Sequence, residues 1–177
     1  LCDIKISEIG KKVDRKILQD REKSLDLFVN RISKISEKAK EKNIKIMIEN
    51  NVLSENNKIC FEGNPFLMCD ANECEKVINS CPENVKLLID VAHLKVSAKT
   101  LNFNPQNYLI KLKKFIKAYH LSENNGLADE NKNVLKKSWF WKFIKKDAAF
   151  CTLELKNLSL SNVKKQIKLV NKKLNIN

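Results

Sequence analysis

Lys86-Leu87-Leu88-Ile89-Asp90-Val91-Ala92-His93 is a short apolar run that stops on an acid and carries a histidine three residues further on. A run of this length and composition reads as a buried parallel strand, which hands two metal-capable side chains to its carboxyl end. The same pattern returns at Ile44 to Glu49, Phe115 to His120 and Ala149 to Glu154, each an apolar run closing on a carboxylate or an imidazole. Four strand ends thus offer Glu49, Asp90, His120 and Glu154. In an α/β barrel all strand ends open on one face, where such enzymes keep their chemistry.

The segments between these runs read as helices and loops. Leu25, Phe28, Val29, Ile32, Ile35 and Ala39 recur at helical spacing, predicting an amphipathic helix from Asp20 to about Lys42. Asn50 to Asn57 is polar and reads as a loop over the strand ends. Asp70-Ala71-Asn72-Glu73 has capping-box spacing and opens a helix to about Ser80, which Pro82 prevents from continuing. Asn104-Pro105 starts another, running to about Lys113. Ser122 to Asn133 is the longest polar stretch, Ser138 caps a helix through Trp139 to Ile144, and Ser161 caps a last helix with Val163, Ile167, Val170 and Leu174 inward. On this reading helix and strand alternate without exception from residue 20 onward. Residues 1 to 20 read as a loop, although Leu1 to Ile6 has the look of a strand tail.

A chain of 177 residues with 43% hydrophobic content is one domain by length. A closed eight-stranded α/β barrel takes about 250 residues, and the chain begins at Leu1 without an initiator methionine. The expectation is therefore a single (β/α)8 TIM barrel domain, N-terminally truncated: the C-terminal half or slightly more, strands 5 to 8 with their helices. Half a barrel exposes strand edges and apolar faces, which predicts association, including homo-oligomers.

The formal net charge of +13 would ordinarily point to nucleic acid. Only Arg15, Arg21 and Arg31 are arginine, however, and the lysines are scattered over presumptive helix surfaces, as in Lys164, Lys165, Lys168, Lys172 and Lys173. Arginine is the better residue for bidentate phosphate recognition, so the charge reads as a solvated, composition-biased surface. Six cysteines at 2, 60, 69, 74, 81 and 151 contain no C-x-x-C pair, which predicts reduced thiols and a cytoplasmic setting. No apolar stretch approaches the ~20 residues of a membrane span.

Glu49, Asp90, His120 and Glu154 are separated by 41, 30 and 34 residues, close to one strand-helix unit each. That spacing places one ligand on each of four successive strands. Singly, each acid has an ordinary explanation as a helix cap or a solvated loop residue, and His93 as a packing residue. Jointly, three carboxylates and an imidazole suit one divalent ion such as Mn²⁺, Mg²⁺, Co²⁺ or Zn²⁺.

The segments I-M-I-E-N-N, L-L-I-D-V-A-H-L, A-Y-H-L-S-E-N-N-G and C-T-L-E-L, in that order, resemble the last four strands of the xylose isomerase-like barrel superfamily, over about residues 22 to 175. That superfamily holds sugar and sugar-phosphate isomerases and epimerases, and type-IV apurinic endonucleases. The resemblance to the epimerase branch implies metal ligands at Glu49, Asp90, His120 and Glu154, a substrate-binding histidine at His93, and a second substrate residue at Glu55. It implies proton transfer beside a carbonyl through an enediolate, with Glu49 and Glu154 as base and acid, on a small sugar or sugar phosphate. A basic substrate residue of that branch has no counterpart; Asn124, Asn125 and Leu127 occupy its neighbourhood.

Two rival readings share the fold. The endonuclease branch carries an Asp-x-His element where this chain has Asp129-Glu130-Asn131, and asparagine is a poor substitute for imidazole on zinc. A non-catalytic scaffold is the other, against which the complete ligand set argues. The aromatic run Trp139-Phe140-Trp141 reads as core packing.

Overall fold

The computed structural model describes residue 11 and residues 18–175. Leu1 to Ile6, Cys2 and most of the leading loop lie outside the described residues. Four strands, β1 (Ile46–Glu49), β2 (Val85–Asp90), β3 (Ile116–Leu121) and β4 (Phe150–Leu153), form one sheet in sequential order. Every neighbouring pair is parallel, so all four carboxyl ends open on the same side. β1 and β4 are its outer strands.

Helix α1 (Arg21–Glu41) starts where Asp20 accepts a hydrogen bond from the Lys23 amide, as the spacing predicts, and buries Leu25 and Ser36. Ile35, expected inward, is 56% exposed. α3 (Ala71–Ser80) is capped by Asp70, whose side chain accepts from the amides of Asn72 and Glu73. α5 (Pro105–Leu112) is capped by Asn104 with Pro105 in its first turn. The core lies between these helices and the outer face of the sheet, where Leu87, Ile89, Tyr119 and Leu121 are fully enclosed.

Several expectations need correction. The polar segment after β1 is not all loop: Ser54 caps a short helix, α2 (Glu55–Cys60), and Leu53 is completely buried, its amide donating to Ser97. Between β2 and β3 stands an unanticipated helix, α4 (Val91–Leu101). Seven of its residues are buried, and burial on nearly all sides erases the polar–apolar period by which a helix is read. Residues 122–149 form turns and an isolated bridge from Glu123 to Lys132, with no helix among them. Ser138 binds the Leu135 amide instead of capping a helix. Helix and strand therefore do not alternate strictly. The last helix, α6 (Leu160–Leu174), is capped by Ser159, not Ser161. Val170 and Leu174 are buried in it, while Ile167 is 46% exposed. Phe140 does belong to the core, with Trp139 edge-on against it and Trp141 donating to the Leu135 carbonyl.

The five described cysteines are free thiols. Burial pushes Cys69 and Cys74 up to about 12, so both are unreactive packing groups. No described helix is long and apolar enough to cross a membrane.

One of the three arginines has a structural post. Arg21 makes a forked pair with Glu73, Nε to Oε1 at 2.6 Å and Nη2 to Oε2 at 2.9 Å, and donates to the carbonyls of Asn64 and Phe66. Glu73 is only 8% exposed, so removing its partner leaves a buried charge. Arg21→Ala is expected to lower stability to urea by about 2–3 kcal/mol, somewhat below the usual cost for a fully buried pair because Arg21 is partly solvated. A loss under about 0.5 kcal/mol would place the pair among surface contacts that contribute little.

Candidate metal centre

The strand register explains why the four sequence-predicted ligands meet. Glu49 pairs with Leu88, two residues before Asp90; Asp90 pairs directly with His120; His120 pairs with Thr152, two residues before Glu154. Every offset is even, and side chains alternate faces with period two. All four therefore project from the same face of the sheet, stepping upward across it. The Glu154 amide continues the ladder by donating to the Leu121 carbonyl at 3.2 Å.

One ligand atom from each of Glu49, Asp90, His120 and Glu154 lies within 4.8 Å of all the others. His120 Nδ1 is central, 3.1 Å from Glu49 Oε1, 3.2 Å from Glu154 Oε2 and 4.0 Å from Asp90 Oδ2. Glu49 and Glu154 remain partly open to solvent, whereas Asp90 is fully buried.

Asp90 has two roles. It ends β2 and caps α4: its Oδ1 accepts from the amides of Ala92 at 2.7 Å and His93 at 2.8 Å. Its Oδ2 is buried with no hydrogen-bond partner among the described residues. An orphaned carboxylate oxygen in the interior is costly unless an ion or proton meets it, and this one lies beside the other three ligands. Burial pushes the Asp90 carboxyl up to about 6, against the pull of His93 and the two amides. The donor set thus fits a divalent ion: hard oxygens with one imidazole, and one oxygen that no described residue satisfies.

His93 stands in the first turn of α4. Its Nδ1 is 3.1 Å from the Asn50 carbonyl oxygen and 3.7 Å from Glu49 Oε1, and its Nε2 is 3.5 Å from Asp129 Oδ2. Burial alone would lower its pKa, but Asp90, the Asn50 carbonyl, Asp129 and Glu49 together hold it above the ordinary value.

No protein-family model matches the chain, and no curated protein matches it in sequence. Solved structures do match. The TTHB071 protein from Thermus thermophilus, in a crystal soaked with ZnCl2, superposes with a TM-score of 0.57 at 14% identity, covering 87% of this chain and 57% of that one. A Rhodospirillum rubrum protein provisionally designated a xylose isomerase gives 0.58 at 14% identity, over 85% of this chain and 52% of that one. AsbF of Bacillus anthracis, provisionally designated a 3-DHS dehydratase of petrobactin synthesis, gives 0.58 at 14% identity, over 92% and 60%. At this identity the likeness is one of fold, a parallel α/β sheet matching part of each of these structures. The chain spans 52% to 60% of the length of these proteins, and its four parallel strands are half of the eight in a closed barrel.

Glu49, Asp90, His120 and Glu154 converge, and His93 lies beside them. Glu55 does not join them in any observed contact: it opens α2, is exposed, and stands 3.8 Å from Lys58. Two residues near the centre were not anticipated. Asp129 reaches His93 from the loop after β3, and the Asn131 amide lies between the loop and β4. With its nitrogen toward Asp129, Asn131 donates at 2.6 and 3.2 Å; turned the other way it reaches Glu154 at 3.4 Å. The shorter contacts favour the first orientation. Asp129 carried a signal, its place in the Asp129-Glu130-Asn131 element, but a contact made from an irregular loop has no periodicity to reveal it.

Proposed function

We propose that this protein is a divalent-metal-dependent enzyme that isomerises or epimerises a small sugar or sugar phosphate by moving a proton beside its carbonyl. The observation that carries the reading is the convergence of four strand-end ligands, with the unpartnered Asp90 Oδ2 among them. Glu49, Asp90, His120 and Glu154 would hold the ion. When bound, the ion supplies Lewis-acid stabilisation of negative charge on substrate oxygen.

The chain's own residues then divide the work. Asp90, buried and committed at one oxygen to α4, binds and cannot shuttle protons to solvent. Glu49 and Glu154 come from opposite sides of the cluster and keep solvent access, so they are the pair able to take a carbon-bound proton and return it. His93, between Asn50 and Asp129, presents Nε2 as a contact for a substrate hydroxyl. Two structural neighbours carry enzyme designations, an isomerase and a dehydratase, which supports reading the site as catalytic.

A second reading, phosphodiester hydrolysis, is favoured by one contact, Asp129 against His93, which would provide two ligands for a further ion. The third position of that element is Asn131, which weakens it. Incubation of the purified protein and Mn²⁺ with candidate ketoses in D2O separates the two. Solvent deuterium entering carbon beside the carbonyl is the expected result. No exchange into any ketose, with cleavage of abasic-site DNA and about three metal ions per chain, would move the assignment to hydrolysis.

A further inference from the structure

We infer that Asn50 is a positioning residue whose side-chain amide holds the backbone of Asp90 so that the unpartnered Asp90 oxygen faces the other three ligands; the inference rests on the metal-centre reading above. Asn50 follows Glu49 directly and is 2% exposed. Its side-chain amide spans the backbone of Asp90 in both directions: Oδ1 accepts from the Asp90 amide at 2.8 Å, and Nδ2 donates to the Asp90 carbonyl at 3.2 Å. Regular pairing of β1 with β2 ends at Glu49 opposite Leu88. A carboxamide has the donor and acceptor of a peptide unit, so the Asn50 side chain extends the ladder beyond the point where the backbone leaves it.

This clamp controls the direction of the free Asp90 oxygen. Oδ1 is held by the amides of Ala92 and His93, so the carboxylate plane follows the local backbone. Asn50 grips that backbone at both its N–H and its C=O. Oδ2 is thereby held toward Glu49, His120 and Glu154 without any contact of its own. Outer partners that orient a ligand are worth roughly 10–100-fold in metal affinity.

The backbone carbonyl at the same position sets the state of His93. The Asn50 carbonyl can only accept, so the ring nitrogen 3.1 Å from it, Nδ1, carries the hydrogen. The neutral imidazole then has its lone pair on Nε2, the nitrogen that faces Asp129. One buried asparagine therefore ties the strand carrying Glu49 to both a metal ligand and the substrate histidine.

The test compares the wild type with Asn50→Ala, using calorimetric titration with Mn²⁺, thermal unfolding, and ¹⁵N spectra of the histidine ring at a pH where it is neutral. The expected result is a folded variant with Mn²⁺ affinity lowered about 10–100-fold, and a His93 spectrum that keeps the Nδ1–H form, because the backbone carbonyl that holds it survives the substitution. Should Asn50→Ala fail to fold, Asn50→Ser takes its place; its hydroxyl cannot span both backbone atoms, and the same changes are expected. A folded variant with Mn²⁺ affinity within about twofold of wild type overturns the inference. Absence of Mn²⁺ binding in the wild type defeats the metal-centre reading instead, and thermal unfolding then decides on the clamp alone: a lowered unfolding temperature in Asn50→Ala supports it and an unchanged one overturns it.

Discussion

Asp90→Asn is expected to weaken divalent-metal binding by more than about 100-fold while leaving the fold intact, because it removes a ligand and not merely a residue that orients one. Asparagine caps a helix about as well as aspartate, so the bonds from Oδ1 to the Ala92 and His93 amides survive and α4 keeps its start. What is lost is the charged, unpartnered Oδ2. The pH dependence makes the prediction specific. Burial raises the folded-state carboxyl from 3.8 to about 6, so the fold takes up this proton more readily than the unfolded chain does. The contribution of this group to stability is therefore fully present below about pH 4 and is lost as pH rises through about 6, a penalty on the order of 2–3 kcal/mol in the metal-free protein. A bound ion competes with that proton. Metal affinity of the wild type should accordingly rise up to about tenfold per pH unit until about pH 6, then level off. Calorimetric titration across this range should show that slope in the wild type and none from this group in Asp90→Asn. Urea unfolding of the metal-free proteins at neutral pH should find the variant at least as stable as the wild type. Equal metal affinity in the two proteins would remove Asp90 from the centre.

Glu49→Gln and Glu154→Gln should each suppress turnover by about 10³-fold or more, since each loses a proton-transfer group, worth about 10²–10⁴ on its own, and a metal ligand with it. Both carboxylates lie within hydrogen-bonding distance of His120 Nδ1, one from each outer strand end of the sheet, and both retain access to solvent. Measuring rates at several Mn²⁺ concentrations separates the two losses. A deficit that excess Mn²⁺ repairs belongs to ion binding, and one that persists at saturation belongs to proton transfer. Near-normal turnover in either variant would exclude that residue from the mechanism. The two deficits need not be equal, because Glu154 has Asn131 beside it, whereas Glu49 is adjacent to His93.

Much of the site was legible because it sits where local pattern is strongest. The run from Val85 to Asp90 had to be a buried strand: it is apolar but for one lysine, too short for a helix, and ended by an acid that the core cannot take unpaired. The same logic located β1, β3 and β4 to within two residues, and their spacing placed four ligands on four adjacent strands. Helix α1 announced itself through its helical period, and α3 and α5 through an aspartate or asparagine cap. The acid at the end of β2 had an ordinary reading as a cap and a functional one as a ligand. The structure shows Asp90 capping α4 and leaves its other oxygen open, so those two readings concern different oxygens of the same carboxylate.

The sequence by itself determined the strand ends, their order as parallel neighbours, and the chemistry available at each, because hydrophobic runs, caps and ligand types are local properties of the chain. Only the tertiary structure decided the rest. The even register offsets that turn Glu49, Asp90, His120 and Glu154 to one face depend on how strands slide against each other. The helical state of Val91–Leu101 depends on burial around its circumference, which removes the amphipathic signal. The turns at residues 138–144, the reach of Asp129 to His93, and the grip of Asn50 on Asp90 are set by contacts between segments distant in sequence, and such contacts leave no period in the chain.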